Sequence, residues 1–322
     1  MNGTRLAGAG WGAFFVLAAS VLWGTTGTAA TFAPGVGPLA IGAAAMGLGG
    51  LLQALTAARS IASARPALRA QWPVVALGAA AVALYPLAFY SSMHLAGVAV
   101  GTVVSIGSAP LASAVVERIV DGHRLTVRWA VGAGLGLAGT GLLCLAEAGD
   151  GGTGAGIRSV GSTTAGIGLG LVAGFTYALY SWAAHRLMNR GIESRAAMGA
   201  VFGLGGLLLM PVLAATGAPL LASWSNAAVG GYMALVPMFA GYVLFGWGLA
   251  RVRASTATTL SLVEPVVASA LAVAVVGEHL PALGWVGAGL VVGSLVVLTV
   301  PVRFRNENAT ASAFRPRYSG RR

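Results

Sequence analysis

The chain has 322 residues, of which 57% are hydrophobic and only 8% are charged, and its mean hydropathy is +0.83. A soluble domain carries about 25% charged residues, so this composition indicates an integral membrane protein. The net charge of +11 comes from 19 arginines spread along the chain, which excludes the clustered basic face of a nucleic-acid-binding protein.

Ten hydrophobic runs of about 20 residues follow one another, separated by short breaks that contain Arg, Gly or Pro. Each run is long enough to cross a hydrocarbon core of about 30 Å as a helix. We therefore predict an all-α integral membrane protein whose ten transmembrane helices lie near 11–33, 37–57, 72–93, 97–117, 126–146, 164–187, 195–216, 227–250, 255–277 and 281–301.

The arginines predict the orientation of these helices. If the N-terminus is cytoplasmic, every arginine except Arg158 falls on the cytoplasmic side, as the positive-inside rule requires. Arg158 lies in the Gly-rich segment 147–163, which we interpret as an external linker. A basic tail, 302–322, then follows the last helix on the cytoplasmic side.

The two halves of the chain resemble each other in sequence. Val131 to Leu135 read VGAGL, and the same five letters recur 155 residues later at Val286 to Leu290. At the same offset Pro110 aligns with Pro265. We predict two repeats, 11–146 and 164–301, with five helices each. Because five is an odd number, the second repeat is inverted, an arrangement typical of secondary transporters whose sites lie near the membrane midplane.

Short motifs make the resemblance to a known family specific. They are Leu-Trp-Gly at 22–24, Leu-Val-Glu-Pro-Val at 262–266 and Gly-Glu-His-Leu at 277–280. With the paired repeats, the chain resembles the EamA family of the drug/metabolite transporter superfamily over about residues 11–301. The resemblance implies ten helices around a central cavity and, usually, export of small metabolites. Two features depart from the family: residues 42–46 contain no arginine, and His123 stands where the second half has Glu278.

Among the residues in the predicted spans, Glu264 costs the most free energy to place in the membrane. It lies nine residues into the ninth predicted helix, about 14 Å along it and close to the middle of the bilayer. Burial favours the neutral form of a carboxyl group, so Glu264 can bind and release a proton or pair with a cationic substrate. The alternative is a structural glutamate that hydrogen-bonds backbone groups freed by the break at Pro265. Glu117 and Glu278, by contrast, are expected at the membrane interfaces.

Several aromatic and hydroxyl side chains within the spans are further candidates for substrate binding. Trp23 lies near the midplane, whereas Trp11, Trp72, Trp129, Trp224 and Trp285 lie near span ends, where a belt of Trp is expected. A tyrosine joins an apolar ring to a hydroxyl that needs a partner when buried. The candidates beside Glu264 and Trp23 are Tyr85, Tyr90, Ser108, Tyr177, Tyr180, Ser181, Tyr242 and Ser261.

Each candidate has a structural alternative. The tyrosines are also suited to core packing, and serines near Pro110 and Pro265 can satisfy the backbone groups that these predicted helix breaks leave free. GxxxG patterns at Gly132/Gly136 and Gly289/Gly293 favour close helix packing, with a homodimer as the other possibility.

These patterns predict a secondary transporter in the plasma membrane that exports a small polar or amphipathic metabolite, such as an amino acid, by alternating access. We expect the lipid bilayer, a small-molecule substrate and possible protons as partners, and no cofactor or metal. One cysteine, Cys144, excludes an internal disulfide and a Cys-rich metal site.

A membrane-embedded enzyme is the first alternative, although no catalytic motif such as HExxH is present. A non-transporting scaffold or channel is the second.

Overall fold

The structure is a computed structural model that describes residues 3–30, 32–149, 160–276 and 281–299. Over these residues the chain forms ten long helical segments. They are α1 (Gly3–Ala30), α2 (Pro38–Thr56), α3 (Trp72–Ala96), α4 (Val98–Val120), α5 (Val127–Gly149), α6 (Val160–Asn189), α7 (Ser194–Thr216), α8 (Trp224–Leu249), α9 (Ala254–Val275) and α10 (Ala282–Thr299). The predicted turn motif at 277–280 and the tail 302–322 lie outside the described residues, as does most of the linker.

Nine of the described helices are long and apolar enough to cross a membrane. The remaining segment, α5, contains a shorter apolar stretch, Val127–Leu143. A helix suits these sequences because it satisfies each backbone N–H and C=O within the segment, where lipid offers no partners. The chain is therefore an all-helical membrane protein.

Three of the long segments change helix type in their interior. The α2 segment contains a π-helix at Ala43–Leu48, and α8 contains one at Ala234–Ala240 that includes Pro237. The α9 segment passes through a 3-10 turn, Ser261–Val263, before Glu264 and Pro265 resume the α-helix. Such irregular turns free backbone groups and often mark functional sites.

The expected helix break at Pro110 is not observed. Pro110 lies within the continuous α-helix Val98–Val120. Of the two prolines expected to break a helix, Pro265 alone adjoins a change of helix type. A membrane helix tolerates an internal proline where neighbouring groups satisfy the freed carbonyl.

The helices pack in a pattern with approximate twofold symmetry. The pairing of α3 with α6 is matched by that of α8 with α1, and the pairing of α4 with α6 is matched by that of α9 with α1. In two further pairs, α2 with α7 and α5 with α10, each helix packs against its own counterpart in the other half. Each half therefore packs mainly against the other half, and the space between the halves lies at the centre of the molecule.

Glycines allow the helices of the last two pairs, α2 with α7 and α5 with α10, to approach each other closely. A Cβ added at Gly139 would lie 2.5 Å from the carbonyl oxygen of Gly287, and one at Gly206 would lie 2.6 Å from that of Gly47. Of the GxxxG residues, Gly132 contacts Leu298, whereas Gly289 faces open space. Small residues at such crossings let backbones pack directly against each other.

Four of the five tryptophans expected in an interfacial belt are exposed on the surface. These are Trp11, Trp72, Trp224 and Trp285. The expectation was wrong for Trp129, which is buried and donates its indole N–H to the carbonyl oxygen of Ser255 at 3.3 Å. The reason is that Trp129 lies at the contact between α5 and the start of α9 rather than on the lipid side.

Candidate functional site

A cavity lies between the two halves and is lined by residues from both. The first half contributes side chains from α1, α2 and α3, and the second half contributes side chains from α6, α8 and α9. The lining consists of Trp23, Thr26, Gly42, Ala45, Met46, Tyr85, Pro86, Phe89, Tyr90, Tyr177, Met238, Tyr242 and Glu264.

Glu264 is the acidic residue among these lining side chains, and it is partly exposed to the cavity. It begins the α-helical part of α9, directly after the 3-10 turn. Within the described part of the chain, no side chain or backbone group hydrogen-bonds to the Glu264 carboxylate. A charged carboxylate is costly to remove from water unless it is paired or hydrogen-bonded, and an unpaired one tends to bind a proton. The carboxylate is therefore available to a ligand or a proton.

Aromatic rings form one wall of the cavity. The ring of Trp23 lies 4.8 Å from that of Tyr242 and 6.3 Å from that of Tyr177, measured between centroids. Its indole N–H donates to the carbonyl oxygen of Pro237 at 2.9 Å, in the π-helix of α8. The ring of Tyr85 lies 5.6 Å from that of Tyr177 and stacks on Phe89 at 5.6 Å. The faces of such rings attract cations as well as apolar groups.

Two hydrogen-bonded pairs of hydroxyl groups lie at and directly behind the cavity wall. Tyr177 donates its hydroxyl to Ser261 Oγ at 2.9 Å, and the hydroxyls of Tyr180 and Tyr242 lie 2.8 Å apart. All four residues are buried. Each pair satisfies groups that would otherwise be costly to bury, which also fixes the orientation of the rings.

From Ser261, a series of buried polar contacts runs along α9 toward its first residues and away from the cavity. Ser261 donates to the carbonyl oxygen of Thr258, and Thr258 lies within 3.2 Å of Ser113 Oγ on α4. At the end of the series, Ser255 donates both its backbone N–H and its hydroxyl to the carboxylate of Glu117, at 3.1 and 2.7 Å. Glu117 lies near the end of α4, as expected, but it is only 2% exposed, because α9 begins directly over it.

An ion pair joins the two halves at the same end of the molecule. Asp121, at the end of α4, accepts hydrogen bonds from Arg186 and from the indole of Trp182, both on α6. The guanidinium of Arg186 also lies over the Trp182 ring, 5.1 Å from its centroid. The contacts of Glu117 and Asp121 thus join α4 of the first half to α9 and α6 of the second half.

The structure places six of the ten candidate side chains on the cavity surface. They are Trp23, Tyr85, Tyr90, Tyr177, Tyr242 and Glu264. Tyr180 and Ser261 lie directly behind this surface as hydrogen-bond partners of Tyr242 and Tyr177. The other two lie elsewhere: Ser108 packs at the contact between α4 and α6 beside Gly174, and Ser181 is fully buried without a partner among the described residues.

Sequence reasoning missed about half of the lining. Thr26 and Phe89 lie one turn after Trp23 and Tyr85, so helical spacing from those two candidates would have found them. Gly42, Ala45, Met46, Pro86 and Met238 carry no polar signal, and only the packing of α2, α3 and α8 shows that they line the cavity.

The cavity is small in this conformation. Only about 20 Å³ of it admits the centre of a water molecule, which is space for about one water. Pockets that hold small-molecule ligands measure about 300 to 1,000 Å³. A metabolite would therefore need the two halves to separate before it could enter.

Comparisons with known proteins agree with this architecture. The model of the EamA-like transporter family matches residues 10–145 and again residues 164–300. The chain is 34% identical over 292 residues to the uncharacterized transporter YwfM of Bacillus subtilis, covering 90% of this chain and 94% of that protein. It is 26% identical over 293 residues to a probable terminal-alkyne amino-acid exporter of Streptantibioticus cattleyicolor, covering 86% of this chain and 92% of the relative.

A solved structure shares the fold. Its TM-score to this chain is 0.70 at 21% sequence identity, and the superposition covers 89% of this chain and 95% of the other.

Proposed function

This chain belongs to the EamA-like transporter family, and we propose that it is a secondary transporter that exports a small amphipathic metabolite carrying an amino group. The observation that supports this most directly is the central cavity, in which one unpaired carboxylate faces a wall of aromatic rings. In this proposal the cavity is the substrate site.

The chemistry of the cavity selects the class of substrate. The Glu264 carboxylate would pair with an ammonium group, and the ring faces of Trp23 and Tyr242 would add cation–π attraction and apolar contact. Met46, Phe89 and Met238 would accommodate an uncharged side chain. An amino acid with an apolar side chain fits this description. The relative from Streptantibioticus cattleyicolor, a probable terminal-alkyne amino-acid exporter, supports the same class.

Alternating access is the mechanism that this architecture favours. The cavity is lined by both halves, and the halves are related by approximate twofold packing, so a rocking motion would expose the cavity first on one side and then on the other. At one end of the molecule, Asp121 and Glu117 of the first half make polar contacts with Arg186 and Ser255 of the second half. We interpret this as the closed cytoplasmic end.

The proposal includes ten membrane-spanning helices, with α5 as the tenth, and both termini in the cytoplasm of a bacterial cell. The distribution of the arginines supports this orientation, since all except Arg158 then lie on the cytoplasmic side. We propose the plasma membrane as the location. Proton exchange at Glu264 would couple export to the proton gradient.

Flux through the purified protein tests the proposal. The protein is reconstituted in liposomes with a pH gradient, and transport is measured for a panel of radiolabelled amino acids, amines and nucleobases. We expect gradient-dependent flux of at least one apolar amino acid, competed by related amines. Flux equal to that of protein-free liposomes for every compound would contradict a transport function and favour a scaffold.

A further inference from the structure

A second, larger cavity lies away from the centre of the molecule, between α2, α7 and α8. About 300 Å³ of it admits the centre of a water molecule, fifteen times the corresponding volume of the central cavity. Its lining consists of Gln53, Thr56, Ala57, Ser194, Arg195, Met198, Gly199, Phe239, Val243 and Trp247. The proposed transport mechanism leaves this cavity unused.

Gln53 is an unusual residue to find in the wall of this cavity. Its side chain is 3% exposed, and neither its amide nitrogen nor its amide oxygen has a hydrogen-bond partner among the described residues. An amide buried without partners costs free energy, and a few such groups occur in native structures, usually with a functional reason. A ligand with both hydrogen-bond acceptors and donors would satisfy it.

The polar side of the cavity carries positive charge. Arg195 uses one guanidinium nitrogen to donate to the carbonyl oxygen of Thr56 at 2.9 Å, and this leaves its remaining N–H groups as donors. Arg251 donates to the backbone carbonyl of the lining residue Trp247. The described lining residues include no carboxylate, although the exposed Glu193 adjoins Ser194 in the chain. This arrangement favours an anion.

The other side of the cavity is apolar and opens beside lipid-facing residues. Phe239, Val243 and Met198 form its inner wall. At its edge Trp247 is 39% exposed, and Leu55, next to Thr56, is 72% exposed. Gln53 lies three residues before the end of α2, about 5 Å from it along the helix axis, and thus near one end of the span rather than at its middle.

We propose that this cavity binds one anionic phospholipid of the leaflet that faces Arg195, the cytoplasmic leaflet in the proposed orientation. The phosphate accepts hydrogen bonds from Arg195 and Ser194, the Gln53 amide bonds the ester and headgroup oxygens, and an acyl chain lies against Phe239 and Val243. Basic pockets between helices on the cytoplasmic side are suited to such headgroups. The lipid would bridge α2 of one half and α7 and α8 of the other.

Lipid titration of the purified protein tests this site. Delipidated protein in detergent is titrated with dioleoyl phosphatidylglycerol, and bound lipid is counted by native mass spectrometry. We expect one tight site, about 10-fold or more weaker in Arg195→Gln and in Gln53→Leu, since each change removes hydrogen bonds to the lipid. The matched control is Arg190→Gln, which removes an exposed arginine five residues before Arg195 and outside the cavity lining, and should bind as wild type does.

Three results would overturn the proposal. They are equal affinity for dioleoyl phosphatidylcholine, wild-type affinity in both cavity variants, and competition by millimolar glycerol 1-phosphate, which would identify a site for a soluble anion. Arg195 is exposed, so its variant is expected to fold even if Gln53→Leu does not. Because lipid binding is measured without transport, Glu264→Gln should retain it, and failure of the transport proposal remains distinguishable from failure of this one.

Discussion

Glu264 presents a carboxylate to the central cavity, and no hydrogen-bond partner for it lies among the described residues. Two other acidic side chains of α4 and its end have partners: Glu117 is bonded to Ser255, and Asp121 to Arg186 and Trp182. This difference is why we propose Glu264 as the group that binds substrate and protons.

We predict that Glu264→Gln lowers substrate flux about 10-fold or more and removes its dependence on pH between about 5 and 9. The reason is that glutamine keeps the shape of the side chain but neither binds a proton nor pairs with an ammonium group, an interaction worth about 1.5 to 3 kcal/mol. Flux in proteoliposomes across this pH range is the measurement. Glu193→Gln, in an exposed loop position, serves as the control and should transport as wild type does. An unchanged pH profile in Glu264→Gln would exclude this residue from coupling.

The paired hydroxyls of Tyr180 and Tyr242 give a second prediction at this scale. Either single change to Phe leaves the other hydroxyl buried without its partner, so each should lower the stability by about 1 to 3 kcal/mol. The double variant should cost less than the sum of the two, because both polar groups are then gone. Thermal unfolding in detergent measures these effects. Tyr232→Phe, at a more exposed hydrogen bond to Thr25, is the matched control and should change stability little. Additive losses in the double variant would refute the pairing.

Between helices, packing depends on glycine at the crossings rather than on polar contacts alone. The α5–α10 pair shows this, because Gly139 on α5 faces the backbone of α10, while Gly141 two residues later faces open space. Position 141 of α5 should therefore tolerate a larger side chain, whereas position 139 should not.

We predict that Gly139→Ala destabilises the protein by about 1 to 3 kcal/mol, since its methyl group would lie 2.5 Å from the Gly287 carbonyl oxygen and force the helices apart. Gly141→Ala should leave stability within about 0.5 kcal/mol of wild type. Thermal unfolding compares the two variants in the same detergent. Equal stabilities would mean that α5 and α10 do not cross as closely as the structure shows.

For the whole molecule, the proposed mechanism assigns a role to the contacts between the halves. Asp121 joins α4 to α6, and Glu117 joins α4 to α9, so both contacts hold α4 of the first half to helices of the second half at one end. In the proposed mechanism, opening that end breaks both contacts.

We predict that Asp121→Asn together with Glu117→Gln shifts the protein toward a state open at this end. The readout is a cysteine at Ser261, which is fully buried behind the cavity, in a Cys144→Ala background. A membrane-impermeant maleimide added to inside-out vesicles should label it several-fold faster in the double variant, because a weakened closed state raises the population of the open one. Glu193→Gln should label at the background rate. Equal labelling with and without the double change would show that these contacts do not hold the end closed.

The sequence determined much of the fold, because the signals involved are local. Runs of about 20 apolar residues predict helices in lipid whatever their neighbours, and helices are found at every predicted span. The repeated VGAGL segment and the family motifs indicated two related halves, which the family match at 10–145 and 164–300 shows. Glu264 was distinguishable because a charge within an apolar helix is costly in any arrangement.

Only the tertiary structure decided which side chains share a space. It joined Glu117 to the start of α9, placed Ser108 and Ser181 away from the cavity, and showed α4 continuous through Pro110. It also brought Gln53 and Arg195, about 140 residues apart in the chain, into one pocket. In an all-apolar helix the sequence pattern hardly distinguishes lipid from protein as a neighbour, since both are equally apolar, so the face that each helix turns inward is set by packing between helices.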